Sequence, residues 1–201
     1  MNVAQVMQTS PVIPVLVIED AAYARPIAEA LVAGGLRVLE VTLRTAAALE
    51  VIAEMVKVEG AIVGAGTVLN EADLRASIDA GAQFIVSPGL TEPLGKAAIA
   101  SGIPFLPGTA NAGDIMRGLD MGLTHFKFFP AEASGGIKAL KSLAGPFGQA
   151  RFCPTGGITQ ASAPEWLALE AVLCVGGSWI VPAGAPDVAA ITAAAKAASA
   201  R

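Results

Sequence analysis

Short apolar runs rich in β-branched residues alternate along this chain with longer alanine-rich stretches that read as helices. The predicted strands cover residues 12–18, 37–43, 62–68, 84–89, 104–109, 125–130, 151–158 and 173–181. Between and after them, helices are predicted at 21–33, 46–57, 71–80, 92–100, 112–121, 137–143, 163–168 and about 187–198. Gly34, Gly35, Gly81, Gly102 and Gly122 fall where helices should stop before the next strand. Several strands are nearly continuous apolar runs, the pattern of a parallel sheet covered on both faces. Strict β–α alternation implies such a sheet, and eight units with no residue block left over imply an α/β (β/α)8 TIM barrel, a closed parallel sheet in a single domain over 1–201. The competing topology is an open doubly wound sheet. It would ordinarily carry a glycine-rich first turn, whereas the first strand here runs into Ile18-Glu19-Asp20.

Composition narrows the function classes. At 201 residues and 54% hydrophobic content, the chain can bury a core without disulfide or metal staples. Only 15% of residues are charged, the net charge is −4 and the pI is near 5.0, which argues against nucleic acid as a partner. No 18-residue apolar run predicts a membrane span. Residues 1–11 lack the basic and apolar regions of a secretory signal. Cys153 and Cys174 form neither a disulfide framework nor a zinc spacing, so buried reduced thiols and a cytoplasmic location are expected.

In a barrel of this kind the chemistry sits at the C-terminal ends of the strands. On the second strand, Glu40, Thr42 and Arg44 share one face and Leu39, Val41 and Leu43 the other. If the apolar set packs under helices, Glu40 and Arg44 point into the barrel, either as an ion pair that plugs its mouth or as functional groups. On the sixth, Lys127 lies between Phe126 and Phe128 and shares its face with His125 and Phe129. Withdrawal from water favours the neutral amine that Schiff-base chemistry needs. The alternative is a structural lysine paired with Glu40. His125, the single histidine, should lie deeper and be structural. Gly156-Gly157 and Gly176-Gly177 follow the seventh and eighth strands, where such barrels bind phosphate through backbone N–H groups. Gly64-Ala65-Gly66-Thr67 is a weaker loop signal, with Thr67 offering a hydroxyl at the mouth. One histidine and two separated cysteines give no usual zinc set. An interior lysine, a carboxylate, an arginine and a phosphate cradle suit metal-independent carbonyl chemistry on a phosphorylated sugar acid.

Four stretches carry a resemblance: Ala33-Gly34-Gly35-Leu36-Arg37-Val38-Leu39-Glu40-Val41-Thr42-Leu43-Arg44-Thr45, Val63-Gly64-Ala65-Gly66-Thr67-Val68-Leu69, Phe126-Lys127-Phe128-Phe129-Pro130-Ala131-Glu132 and Arg151-Phe152-Cys153-Pro154-Thr155-Gly156-Gly157. In order and spacing they resemble the 2-keto-3-deoxy-6-phosphogluconate (KDPG) aldolases, nearest to the bacterial bifunctional form that also cleaves 4-hydroxy-2-oxoglutarate. The resemblance implies a class I aldolase of the Entner–Doudoroff pathway on a (β/α)8 barrel, usually a homotrimer, with no cofactor beyond a covalent imine on Lys127. It implies Glu40 as general acid/base. Arg44 and Thr67, helped by Pro88, would hold the pyruvate carboxylate, and Phe129 would pack on the pyruvyl group. Thr155, Gly156, Gly157, Gly177 and Ser178 would recognise the sugar hydroxyls and phosphate. One loop departs from the family's Pro-Gly-Ile-Ser-Thr and reads Pro107-Gly108-Thr109-Ala110-Asn111, and the N-terminal helix looks abbreviated. Two rival readings use the same barrel: a phosphosugar isomerase or epimerase without an imine, and a non-catalytic phosphosugar-binding or assembly subunit.

Overall fold

The computed structural model describes residues 1–200. Nine short parallel strands alternate with helices: β1 Val12–Leu16, β2 Val38–Thr42, β3 Ile62–Gly66, β4 Phe84–Val86, β5 Phe105–Leu106, β6 Gly108–Thr109, β7 His125–Phe128, β8 Arg151–Pro154 and β9 Val175–Gly177. The helices are α1 Val3–Thr9, α2 Ala24–Ala33, α3 Ala48–Met55, α4 Glu71–Asp79, α5 Glu92–Ser101, α6 Ala112–Asp120, α7 Gly136–Ala144, α8 Ala163–Leu167 and α9 Val188–Ser199. A curled six-stranded sheet has the order β5-β4-β3-β2-β1-β9, and a three-stranded one the order β6-β7-β8. The fold is therefore parallel α/β. Eight strands were expected; the ninth arises because Pro107 divides the fifth predicted run. A proline has no N–H for the ladder, yet its carbonyl accepts from the Lys127 N–H at 2.8 Å. At the other seam, Leu173 N–H donates to the Phe152 carbonyl, and Thr155 bridges Gly176.

Strand alternation sorts side chains into two shells. Outward residues, among them Leu39, Val41, Ile85, Phe126, Phe128 and Phe152, join a large core beneath the helices. Inward residues Ile13, Val38, Phe84, Val86, Leu106 and Cys153 form a second cluster with Val6 and Met7 of α1. The short N-terminal helix thus sits under the inner cluster. Its start is fixed by a capping box between Asn2 and Gln5, which satisfies two otherwise orphaned N–H groups. β8 ends earlier than the sequence predicts because Gly156 (φ +103°) and Gly157 (φ +81°) turn the chain through the left-handed region.

Candidate active site

The alternation of β2 places Glu40 and Thr42 in the interior, 3% and 2% exposed. Lys127 of β7 is 6% exposed, and its Nζ donates to Glu40 Oε1 at 3.1 Å. A charge so far from water requires a partner, and each supplies the other's. The Phe129 ring centroid lies 5.2 Å from the same Nζ, within cation–π range. The carboxylate has room because Gly66, directly across the β2–β3 ladder from Thr42, lacks a side chain. A Cβ there would overlap the Glu40 carboxylate.

Thr42 Oγ1 donates to the Leu16 carbonyl at 2.8 Å and accepts from Arg44 Nε at 3.2 Å. The ion pair considered for Glu40 and Arg44 is therefore replaced by two separate contacts, Glu40 with Lys127 and Arg44 with Thr42. Arg44 itself is exposed at the C-terminal end of β2. Thr67 follows β3 at φ +59°, a conformation a β-branched residue rarely adopts. Pro88 follows β4, half-buried, and its carbonyl lies where a Cβ on Gly108 would stand.

The opposite arc is built around Thr155, 6% exposed, whose hydroxyl lies 3.9 Å from Cys153 Sγ and donates to the Cys153 carbonyl at 3.4 Å. Gly176 is bare where a Cβ would overlap the Thr155 hydroxyl, and Gly177 where one would overlap the Trp179 ring. The segment after β7 grips the Gly156-Gly157 loop. Ala131 and Glu132 N–H groups donate to the Thr155 and Gly156 carbonyls, and the Glu132 carboxylate accepts from Trp166 Nε1 at 3.1 Å. Ser178 is exposed at the end of β9.

A family model for KDPG and KHG aldolases matches residues 3–194. The chain belongs to this family. It is an aldolase, and so a carbon–carbon lyase. It is 64% identical over 199 residues to the 2-dehydro-3-deoxy-phosphogluconate aldolase of Zymomonas mobilis, covering 99% of this chain and 96% of that one. A crystal structure of the Zymomonas mobilis ZM4 2-keto-3-deoxy-6-phosphogluconate aldolase with 3-phosphoglycerate superposes at TM-score 0.97, with 65% identity and coverage of 98% and 95%. The KHG/KDPG aldolase of Escherichia coli is 58% identical over 181 residues, covering 90% and 85%. The Legionella pneumophila KDPG aldolase, with pyruvate captured at low pH as a covalent carbinolamine, superposes at TM-score 0.96 with 46% identity and coverage of 100% and 99%.

Several aldolase residues have structural rather than chemical surroundings. His125 lies at the N-terminal end of β7, opposite Arg151 in register, with Nδ1 3.0 Å from the Thr124 hydroxyl. Burial, with the Arg151 charge in support, holds its imidazole below the ordinary value of 6.5. Asn111, part of the departing loop, caps α6: its Oδ1 accepts from Asp114 N–H at 3.1 Å and its Nδ2 donates to Asp114 Oδ2 at 3.0 Å. The same arrangement of Asn70 and Asp73 starts α4. Among the described residues, no cluster of three or more His, Cys, Asp or Glu is placed to hold a metal ion, and no helix is long and apolar enough to cross a membrane.

Sequence reasoning missed the part Thr42 plays beside Arg44, and it read Gly64 and Gly66 as a loop signal. Both glycines lie within β3 on the inward face, where a Cβ would meet Phe84 or Glu40 respectively. Their two-residue spacing within a strand was the available signal.

Proposed function

We propose that this aldolase cleaves 2-keto-3-deoxy-6-phosphogluconate to pyruvate and glyceraldehyde 3-phosphate through an imine on Lys127. The observation that carries the reading is the 3.1 Å contact between Lys127 Nζ and Glu40 Oε1, both nearly excluded from water. A proton passing along it converts ammonium and carboxylate into amine and acid without creating net charge in the interior. The amine attacks the C2 ketone. Glu40 then protonates the carbinolamine hydroxyl, which leaves as water and yields the protonated imine. Glu40, a carboxylate again, takes the C4 hydroxyl proton; the C3–C4 electron pair flows into the imine, and the aldehyde departs. Glu40 returns the proton to C3 of the enamine, and water hydrolyses the imine to pyruvate and Lys127. One group acting as base and then acid fits a residue in contact with the reacting nitrogen.

In this reading Arg44 and Thr67 bind the substrate carboxylate, Pro88 and Phe129 wall the pyruvyl group, and Thr155 reads a sugar hydroxyl. Gly156, Gly157, Gly177 and Ser178 offer backbone and hydroxyl donors to the phosphate, as the left-handed turn at Gly156-Gly157 favours. The low-pH carbinolamine of the Legionella enzyme supports the covalent route, and the 3-phosphoglycerate complex of the Zymomonas enzyme supports a phosphorylated three-carbon product. The E. coli relative supports a second activity, cleavage of 4-hydroxy-2-oxoglutarate to pyruvate and glyoxylate. The backbone bonds at both seams support closure of the two sheets into one eight-membered (β/α)8 barrel. A cytoplasmic homotrimer that needs no metal completes the proposal. Release of pyruvate from the phosphorylated substrate, followed continuously, is the test. Turnover is expected in metal-free buffer. Folded protein that releases no pyruvate would overturn the reading and favour a phosphosugar isomerase or a silent barrel.

A further inference from the structure

We infer that Thr42 is a positioning residue for the substrate carboxylate, acting through Arg44. This rests on the reading above in which Arg44 binds that carboxylate. Thr42 is 2% exposed, and its hydroxyl has one proton and two groups to satisfy. The Leu16 carbonyl can only accept, and Arg44 Nε–H can only donate. The direction of the chain is therefore fixed: Arg44 Nε–H to Thr42 Oγ1, and Thr42 O–H to Leu16 carbonyl, at 3.2 and 2.8 Å. The Leu16 carbonyl belongs to β1 and cannot rotate away. One of the five guanidinium donors is thereby pinned to the barrel wall, which sets the plane of the fork and directs both Nη groups away from Thr42. A bidentate grip on a planar carboxylate depends on that plane. An arginine otherwise exposed at a strand end would spread over many rotamers, and the substrate would have to order it on binding.

A purely structural Thr42 would pin β1 to β2 and matter to stability alone. Borohydride trapping of the pyruvate imine over a range of pyruvate concentrations separates the two roles, because it yields a half-saturation and a maximal rate. Thr42→Val keeps the shape and removes the hydroxyl. It is expected to raise half-saturation about tenfold, the low end of the worth of a hydrogen bond from a charged donor, with the maximal rate little changed. Thr42→Ser should restore most of the affinity. Arg44→Ala should raise half-saturation further, and Thr42→Val added to Arg44→Ala should do nothing more. Arg44→Lys keeps the charge but has no fork and should behave closer to alanine than to arginine; Thr42→Ala, which also removes the hydroxyl but adds no group in its place, should raise half-saturation as Thr42→Val does and decides the matter if Thr42→Val does not fold. An unchanged half-saturation in Arg44→Ala would overturn the carboxylate reading and the inference with it. A raised value in Arg44→Ala with none in Thr42→Val, a Thr42→Val effect that persists without Arg44, or a lysine as good as arginine would overturn the inference alone.

Discussion

Gly66→Ala is the perturbation that most directly probes how the site is built. Gly66 has ordinary strand geometry, so alanine strains no backbone dihedral. The penalty is steric: the new methyl overlaps the Glu40 carboxylate, with Cγ at 2.7 Å and Cδ at 2.8 Å. Glu40 must swing, and its contact with Lys127 must lengthen. Inserting one methyl into a packed interior costs about 1–3 kcal/mol of stability. A displacement of about 1 Å in a proton-transfer group is worth about a hundredfold in rate. Gly64→Ala is the control. It lies two residues earlier on the same face, and the atoms its methyl meets first belong to the buried Phe84 ring. Denaturant unfolding and pyruvate release, measured on both variants, should show stability lost in each and turnover lost by about a hundredfold only in Gly66→Ala. Equal turnover in the two variants would refute the claim that the bare position exists to seat the carboxylate.

Glu40→Gln should slow imine trapping and pyruvate release alike, with turnover falling at least about a hundredfold, because Glu40 moves the proton in both steps; both rates measured on one preparation will show it. His125 takes up a proton less readily folded than unfolded, so protonation favours unfolding: stability should fall as pH drops below the ordinary 6.5 and level off beneath the lowered folded value, with His125→Gln flattening that slope in unfolding curves at stepped pH. Asn111→Ala should lower stability by about 1 kcal/mol through loss of the α6 cap and leave the kinetics of cleavage unchanged, since the amide is held by Asp114.

The inward face of β2 and the burial of Lys127 were legible because strand alternation is a strict rule and charges among apolar neighbours stand out. Leu39 and Val41 pack outward as that rule requires, and Phe126 and Phe128 do the same on β7. The pairing was less legible. Arg44 is the cation that shares the strand face of Glu40, but the partner comes from 87 residues away, on the other sheet. Strand ends were read too long where glycines continue an apolar run, since hydropathy does not report φ. α1 escaped the pattern because only Val6 and Met7 of its seven residues are buried, too few for periodicity, although Asn2 and Gln5 spell its capping box. The bare positions in β3 were misread because a glycine signals a turn and a close packing contact alike; only the partner, Glu40 or Phe84, distinguishes them.

Borohydride reduction in the presence of pyruvate, followed by peptide mass mapping, reports which lysine carries the imine. A single stable adduct on Lys127 is expected, absent from Lys127→Ala, which should also release no pyruvate from the phosphorylated substrate. An adduct on another lysine, or none from folded protein that still turns over, would contradict an imine on Lys127.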